Sequence, residues 1–264
     1  MANVYTDMTG REVVIAGHPR RIVSLVPSQT ELLYDLGLHE EVVGITKFCI
    51  HPQEWFRSKR RVGGTKNVRM ETVDELQPDL IIANKEENTR EQIEALAAKY
   101  PVWISDIQTL DDALVMIRHV AGMTGQAAAG EQIAGEIVSG FDVLHASVNP
   151  LRVAYFIWRN PWMSVGHDTF ISNIIHLVGW VNALQELSRY PAIEIADLVR
   201  YDVDVVLLSS EPYPFKEQHM AEIAAILPQA KIVLVDGEMF SWYGSRLLHA
   251  PAYLQQLVHS VGGR

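Results

Sequence analysis

The sequence predicts an α/β chain of two lobes joined by one long helix. Three observations lead there. Short apolar runs alternate with helical periodicity from residue 22 to residue 107. A purely helical stretch then fills residues 109–148, where a simple doubly wound sheet would have another strand. From residue 152 the strand–helix rhythm restarts, and such a rhythm favours parallel sheets covered by helices. The expected divisions are a first lobe over 1–108, a helical connector over 109–148 and a second lobe over 149–264.

Residues 22–26 (IVSLV) form the first strand, which Pro27 stops. Ser28 is placed as the N-cap of the next helix, with Glu31 completing a capping box and Gly37 ending the helix. Strands follow at 42–45 and near Val62, and a capped stretch covers 71–77. Residues 79–83 (DLIIA) give another strand, 88–99 a helix with Ile93, Leu96 and Ala97 on one face, and 102–107 a strand. Leu110, Leu114, Ile117 and Ala121 share a helical face. So do Ile133, Ile137, Phe141 and Leu144 in a helix read over 127–147. Its glycines at 130, 135 and 140 each cost roughly 1 kcal/mol relative to alanine. Strands are expected at 152–158, 205–209 and 231–235, and helices near 169–178, 193–201, 216–226 and 246–260.

Composition narrows the classes. The 264 residues are 48% hydrophobic and 20% charged, the balance of an ordinary globular chain with material for a sizeable core. A formal net charge of -10 repels phosphate backbones and argues against nucleic acid as a partner. One cysteine excludes an internal disulfide. The N-terminal stretch MANVYTDMTGREV lacks the apolar core of a signal peptide, which fits either a cytoplasmic protein or one given without a leader. Signatures of hydrolases, P-loop enzymes, zinc proteases and C-x-x-C redox proteins do not occur, so no catalytic residue, metal site or bound cofactor is assigned.

The residues that follow strand ends carry the candidate chemistry, because open α/β sheets bind ligands at the carboxyl ends of their strands. After the first strand come Ser28, Gln29 and Thr30, where a helix N-terminus suits an anionic or amide-bearing group as well as a plain cap. Phe48, Cys49 and His51 follow the second strand, as cleft lining or as two of the donors a metal would need. Lys85 and Glu86 follow strand 79–83, in a loop that Asn88 or Thr89 closes as a helix cap. Trp158, Arg159 and Trp162 follow strand 152–158 and offer ring and guanidinium platforms, with Trp158 turning either inward or outward. Glu211 and Tyr213 follow strand 205–209. Phe240, Trp242 and Tyr243 lie in EMFSWYG, read as an aromatic loop that either contacts ligand or packs as a satellite core. Asp168 reads as the cap of the following helix.

Serial motifs then point to a family. RRIVSLVPSQTELLYDLGLHEEVVGIT, RVGGTKNVRMETVDELQPDLIIANKEENTREQIEAL and IWRNPWMSVGHDTFISNIIHLVGWVN stand in order over roughly residues 20 to 260. They resemble the helical-backbone binding proteins that serve ABC transporters for cobalamin, haem and ferric siderophores, most nearly the cobalamin-binding kind. The resemblance implies two Rossmann-like lobes with a ligand cleft between them, a cobalamin, haem or ferric siderophore as cargo, a monomer, an ABC permease as partner and an extracytoplasmic location. By position it also places Glu71, and in the second lobe Glu194 and Asp197 beside Ala196, where the family docks on permease arginines. Two rival readings stay open: a cytoplasmic corrinoid or chelate salvage enzyme or carrier, and a direct metal-ion receptor.

Overall fold

A computed structural model describes residues 2–144 and 150–262. The chain divides into two compact units: Met1–Ile107 with Asp111–Glu136 and Tyr243–Arg246, and Gln108–Leu110 with Ile137–Trp242 and Leu247–Arg264.

The first unit opens with an antiparallel hairpin, β1 (Ala2–Thr6) and β2 (Glu12–Ala16). Period-2 alternation in EVVIA buries Val13 and Ile15 and leaves Val14 outside. Strands β3 (Ile22–Ser24) and β4 (Val42–Ile45) flank helix α1 (Pro27–Asp35). Helix α2 (Gln53–Ser58) follows, and then the short strands β5 (Arg60–Arg61), β6 (Gly63–Gly64) and β7 (Asn67–Val68). Helix α3 (Met70–Leu76), strand β8 (Leu80–Asn84), helix α4 (Arg90–Ala97) and strand β9 (Val102–Ser105) complete the run. The sheet order is β5-β4-β3-β8-β9, and every pair in it is parallel. All five residues of β8 are buried, as expected for a strand covered on both faces. Val23, Val73, Ile81, Ile93, Leu96 and Ile104 pack into one core against it.

Helix α5 (Leu110–Met123) and helix α6 (Ala127–Asp142) follow, with a break at residues 124–126. Residues 145–147 of the helix expected over 127–147 lie outside the described residues.

In the second unit, strand β10 (Arg152–Trp158) is followed by β11 (Met163–Ser164), helix α7 (Phe170–Leu177) and β12 (Val181–Asn182). Strand β13 (Val205–Ser209), helix α8 (Glu217–Ala224), strand β14 (Lys231–Val235), helix α9 (Glu238–Ser241) and helix α10 (Ala250–Gly262) end the chain. Strands β10, β13 and β14 are parallel neighbours, β12 adds a parallel pair to β10, and β11 an antiparallel one. Phe156, Val206, Leu208 and Ile223 centre its core.

Local chemistry revises several expectations. Pro27 takes the first position of α1 and Val26 the cap, so Ser28 lies inside the first turn and makes no cap. Proline is pre-organised for that position and lacks the N–H that would go unpaired there. Gly37 does end the helix, at φ +79, with its N–H on Tyr34 O and the Leu38 N–H on Leu33 O. Thr89 occupies the cap of α4 without a side-chain bond. Thr169, and not Asp168, caps α7, accepting the Ser172 N–H at 3.2 Å. The helix expected over 193–201 is a 3-10 helix over Ile195–Tyr201. EMFSWYG is no open loop: its first four residues form α9. A hairpin at residues 2–16 and helix α2 were not anticipated.

Residues 243–246 join the first unit although the chain on both sides belongs to the second. Arg246 donates through Nε and Nη2 to the two carboxylate oxygens of Glu31, at 2.9 and 2.5 Å, and Ser245 Oγ donates to Asp35.

Candidate functional site

The carboxyl edge of each sheet is built differently. In the first unit it rests on a buried amide network. Gln29, in the first turn of α1, donates Nε2 to Ser105 Oγ at 2.5 Å, at the end of β9. Asn84, the last residue of β8, donates Nδ2 to Ser105 Oγ and Ser105 O. Its Oδ1 accepts the N–H groups of Glu86 and Glu87 at 2.8 and 3.0 Å, which turns the chain sharply after the strand. Asn88 closes the circuit, accepting the Asn84 N–H and donating to Thr65 O. Gln29, Asn84, Asn88 and Ser105 are all buried, and Gln29 Oε1 has no partner.

Around this network the expected contact residues spread. Ser28 is buried at the start of α1. Phe48 stands 49% exposed beyond β4, with Lys47 Nζ 4.9 Å from its ring centroid. His51 is half-buried, before a cis peptide bond to Pro52. Lys85 pairs with Asp106 at 2.5 Å, and the Glu86 carbonyl accepts from Lys66. Cys49, expected to line the site or meet a metal, lies wholly inside. Thr30 Oγ1 and Thr46 Oγ1 lie 3.0 and 3.2 Å from its sulfur, and burial pushes the thiol up from its ordinary range. Among the described residues no group of three or more His, Cys, Asp or Glu side chains could hold a metal ion.

The edge of the second unit is a layered set of rings. Trp158 ends β10 with 41% of its surface exposed, turned outward, and meets Tyr213 edge-on at 5.7 Å. Trp162 stacks on Phe215 at 5.6 Å with 11° between planes. Arg159 sits 5.4 Å over the Trp162 ring and is held there by Glu222, at 2.7 Å from Nη2. His219 receives the Lys216 N–H on Nδ1 at 2.9 Å, which leaves Nε2 facing Tyr213 Oη at 3.3 Å. Rings supported on their edges and faces lose little freedom when they meet a ligand.

The third expected cluster turns inward. Phe240 is fully buried against Tyr155, with 5.0 Å between centroids, so it is a core residue and offers no surface to a ligand. Trp242 and Tyr243 are also buried. Trp242 Nε1 and Ser241 Oγ converge on Glu211 Oε1 at 2.9 and 2.8 Å. Burial pushes the Glu211 carboxyl above its ordinary range, and Glu238 and Asp236 add to this, against the two hydrogen bonds.

Sequence reasoning passed over Ser105 and His219. Ser105 carried a signal, a hydroxyl closing the apolar strand VWIS. His219 carried none, since only the fold brings it to Tyr213. Glu71 and Glu194 are exposed, while Asp197 is half-buried and pairs with Arg200 at 2.9 Å. A hollow of about 410 Å³ in the second unit, lined by Leu198, Val203, Ile226 and Pro228 among others, opens at the amino ends of β13 and β14. None of the expected ligand-binding residues lines it.

Known proteins share this architecture. The chain is 25% identical over 245 residues to the vitamin B12-binding protein of Pectobacterium atrosepticum, covering 88% of this chain and 86% of that one. It is 24% identical over 269 residues to the uncharacterized ABC transporter substrate-binding lipoprotein YvrC of Bacillus subtilis, covering 97% and 84%. The periplasmic heme-binding protein RhuT from Roseiflexus sp. RS-1 superposes with a TM-score of 0.80 at 24% identity, covering 93% of this chain and 99% of that one. Two parallel-sheet units, the serial motifs and a match over residues 22–226 agree: the chain belongs to the periplasmic binding protein family.

Proposed function

We propose that this chain is the substrate-binding protein of an ABC-type uptake system, carrying a bulky metal chelate or corrinoid. The observation that carries the reading is the ring set at the carboxyl ends of β10 and β13, where Trp158 stands open and braced by Tyr213. Such a surface suits a large, amphipathic, ring-bearing cargo. In the first unit Phe48, beyond β4, likewise presents an exposed ring. Two relatives support this, one a vitamin B12-binding protein and the other an ABC transporter substrate-binding lipoprotein.

The chain acts by binding and release, not by catalysis. It works outside the cytoplasm with a membrane permease, which Glu71 and the Glu194–Asp197 segment engage through charge. Among the described residues no helix is long and apolar enough to cross a membrane.

Titration with a panel of corrinoids, haem and ferric siderophores, read by tryptophan fluorescence and visible absorbance, tests the proposal. A saturable response to one class is expected. Silence to all three, in protein that melts cooperatively, would sink it.

A further inference from the structure

The rings at the carboxyl edge of the second unit form two branches that meet at one side chain. Trp158 leans edge-on against Tyr213 at 5.7 Å, and Trp162 stacks on Phe215 at 5.6 Å. Tyr213 and Phe215 stand 4.8 Å apart between centroids. His219 sets its ring against both, 5.5 Å from Tyr213 and 5.4 Å from Phe215. Trp158 is exposed and Tyr213 half-buried, while Phe215 and His219 are buried. The support therefore runs inward, from an open indole to a buried imidazole.

That imidazole has one way to sit. His219 is the third residue of α8, from which a side chain reaches back to the N–H of the residue before the helix. Nδ1 accepts the Lys216 N–H at 2.9 Å, so Nδ1 carries a lone pair and the ring proton is on Nε2. Tyr213 Oη lies 3.3 Å from Nε2. Gln218 also comes within 3.3 Å of Nε2, but it is exposed and approaches with its amide nitrogen, itself a donor. The tyrosine oxygen is therefore the acceptor. One turn along the same helix face, Glu222 holds Arg159 over Trp162. Helix α8 thus bears on both branches.

We propose that His219 is a positioning residue for ligand capture: as its Nε2–H tautomer it fixes Tyr213, and through Tyr213 the open face of Trp158, without touching the ligand itself. A tyrosine half in water turns about two side-chain bonds. A donor anchored at a helix start and a ring packed beside it remove that freedom before a ligand arrives, so it is not lost on binding. The effect on affinity rests on the ligand reading given above; the ordering of the rings does not.

NMR on the full-length protein tests it first without ligand. Imidazole nitrogen shifts should place the His219 proton on Nε2. His219→Gln keeps an acceptor for the Lys216 N–H and loses the rigid ring that aims a proton at Tyr213. Tyr213→Phe keeps its ring and loses only the hydroxyl. In both variants the order parameter of the Trp158 indole N–H should fall from about 0.85 to about 0.6 or lower, with the backbone of β10 and β13 unchanged. Binding then tests the consequence, with cyanocobalamin, haem and a ferric hydroxamate as probes. Each variant should weaken the probe that binds wild type about fivefold, and the double variant by little more than either alone, because the two residues act as one unit. A proton on Nδ1, an indole as ordered in both variants as in wild type, or full multiplication of the two effects overturns the positioning role. If no probe binds wild type, the ligand reading falls alone, and the proton position and indole order still decide the role of His219.

Discussion

The carboxyl edges of the two sheets occupy the same topological position and are made of different chemistry. In the first unit, amides and a hydroxyl (Gln29, Asn84, Asn88 and Ser105) are spent inward, holding the turns in place. In the second, rings are stacked on one another and end in an exposed indole. The lesson is that an edge can serve a ligand in two ways, by fixing where backbone groups stand or by presenting surface. Mutations should separate the two: the amide edge should answer in stability, the ring edge in affinity.

The largest effect is expected at Asn84. Replacing it with alanine strips the acceptor from the Glu86 and Glu87 amides and the donor from Ser105. Stranding buried groups in this way should cost roughly 2–4 kcal/mol of unfolding free energy in urea. A loss below ~1 kcal/mol would show that the network is ornamental. Trp158→Ala is the complementary probe. Its ring is exposed, so stability should move by less than about 0.5 kcal/mol. Affinity for the panel ligand should fall about tenfold or more, roughly 1.4 kcal/mol. The reverse pattern would erase the contrast between the edges.

Glu211 sharpens the comparison, as a largely buried carboxylate in the ring-rich unit. Its folded pKa is raised, mainly by burial, so the folded state holds its proton more tightly than the unfolded one. That contribution to stability is complete below the unfolded-state pKa and is lost as pH rises through the folded one. Glu211→Gln should therefore raise the melting temperature near neutral pH, and the gain should vanish under acid. A gain that grows on acidification would reverse the assignment. The smallest effect is at Cys49: in native protein it should resist a thiol reagent that labels it at once in denaturant. Rapid native labelling would reopen it as an edge residue.

Much of the framework was legible in the sequence, because strands covered on both faces read as unbroken apolar runs. DLIIA and VVLLS are the plainest cases, and β13 is buried along its whole length. At the start of α1 the local pattern points to Ser28 as the cap, because Pro27 ends an apolar run, whereas the fixed φ of Pro27 begins the helix. The site was legible as composition and not as orientation. Trp158 and Phe240 are both aromatic residues at or just beyond a strand end, yet one faces out and the other packs on Tyr155. Which way a ring turns is decided by tertiary neighbours that no local pattern records. The amide network hid for the same reason, since Gln29 and Ser105 are 76 residues apart in sequence.

The placement of residues 243–246 has a consequence for how the molecule is made. Every strand of the first unit's sheet leaves the ribosome early, yet Gly244, Ser245 and Arg246 emerge only after the whole sheet of the second unit has been synthesised. The part begun first is thus completed only after the second sheet has been made. A nascent chain halted at Trp242 would hold both sheets while α1 still waited for its counter-ion.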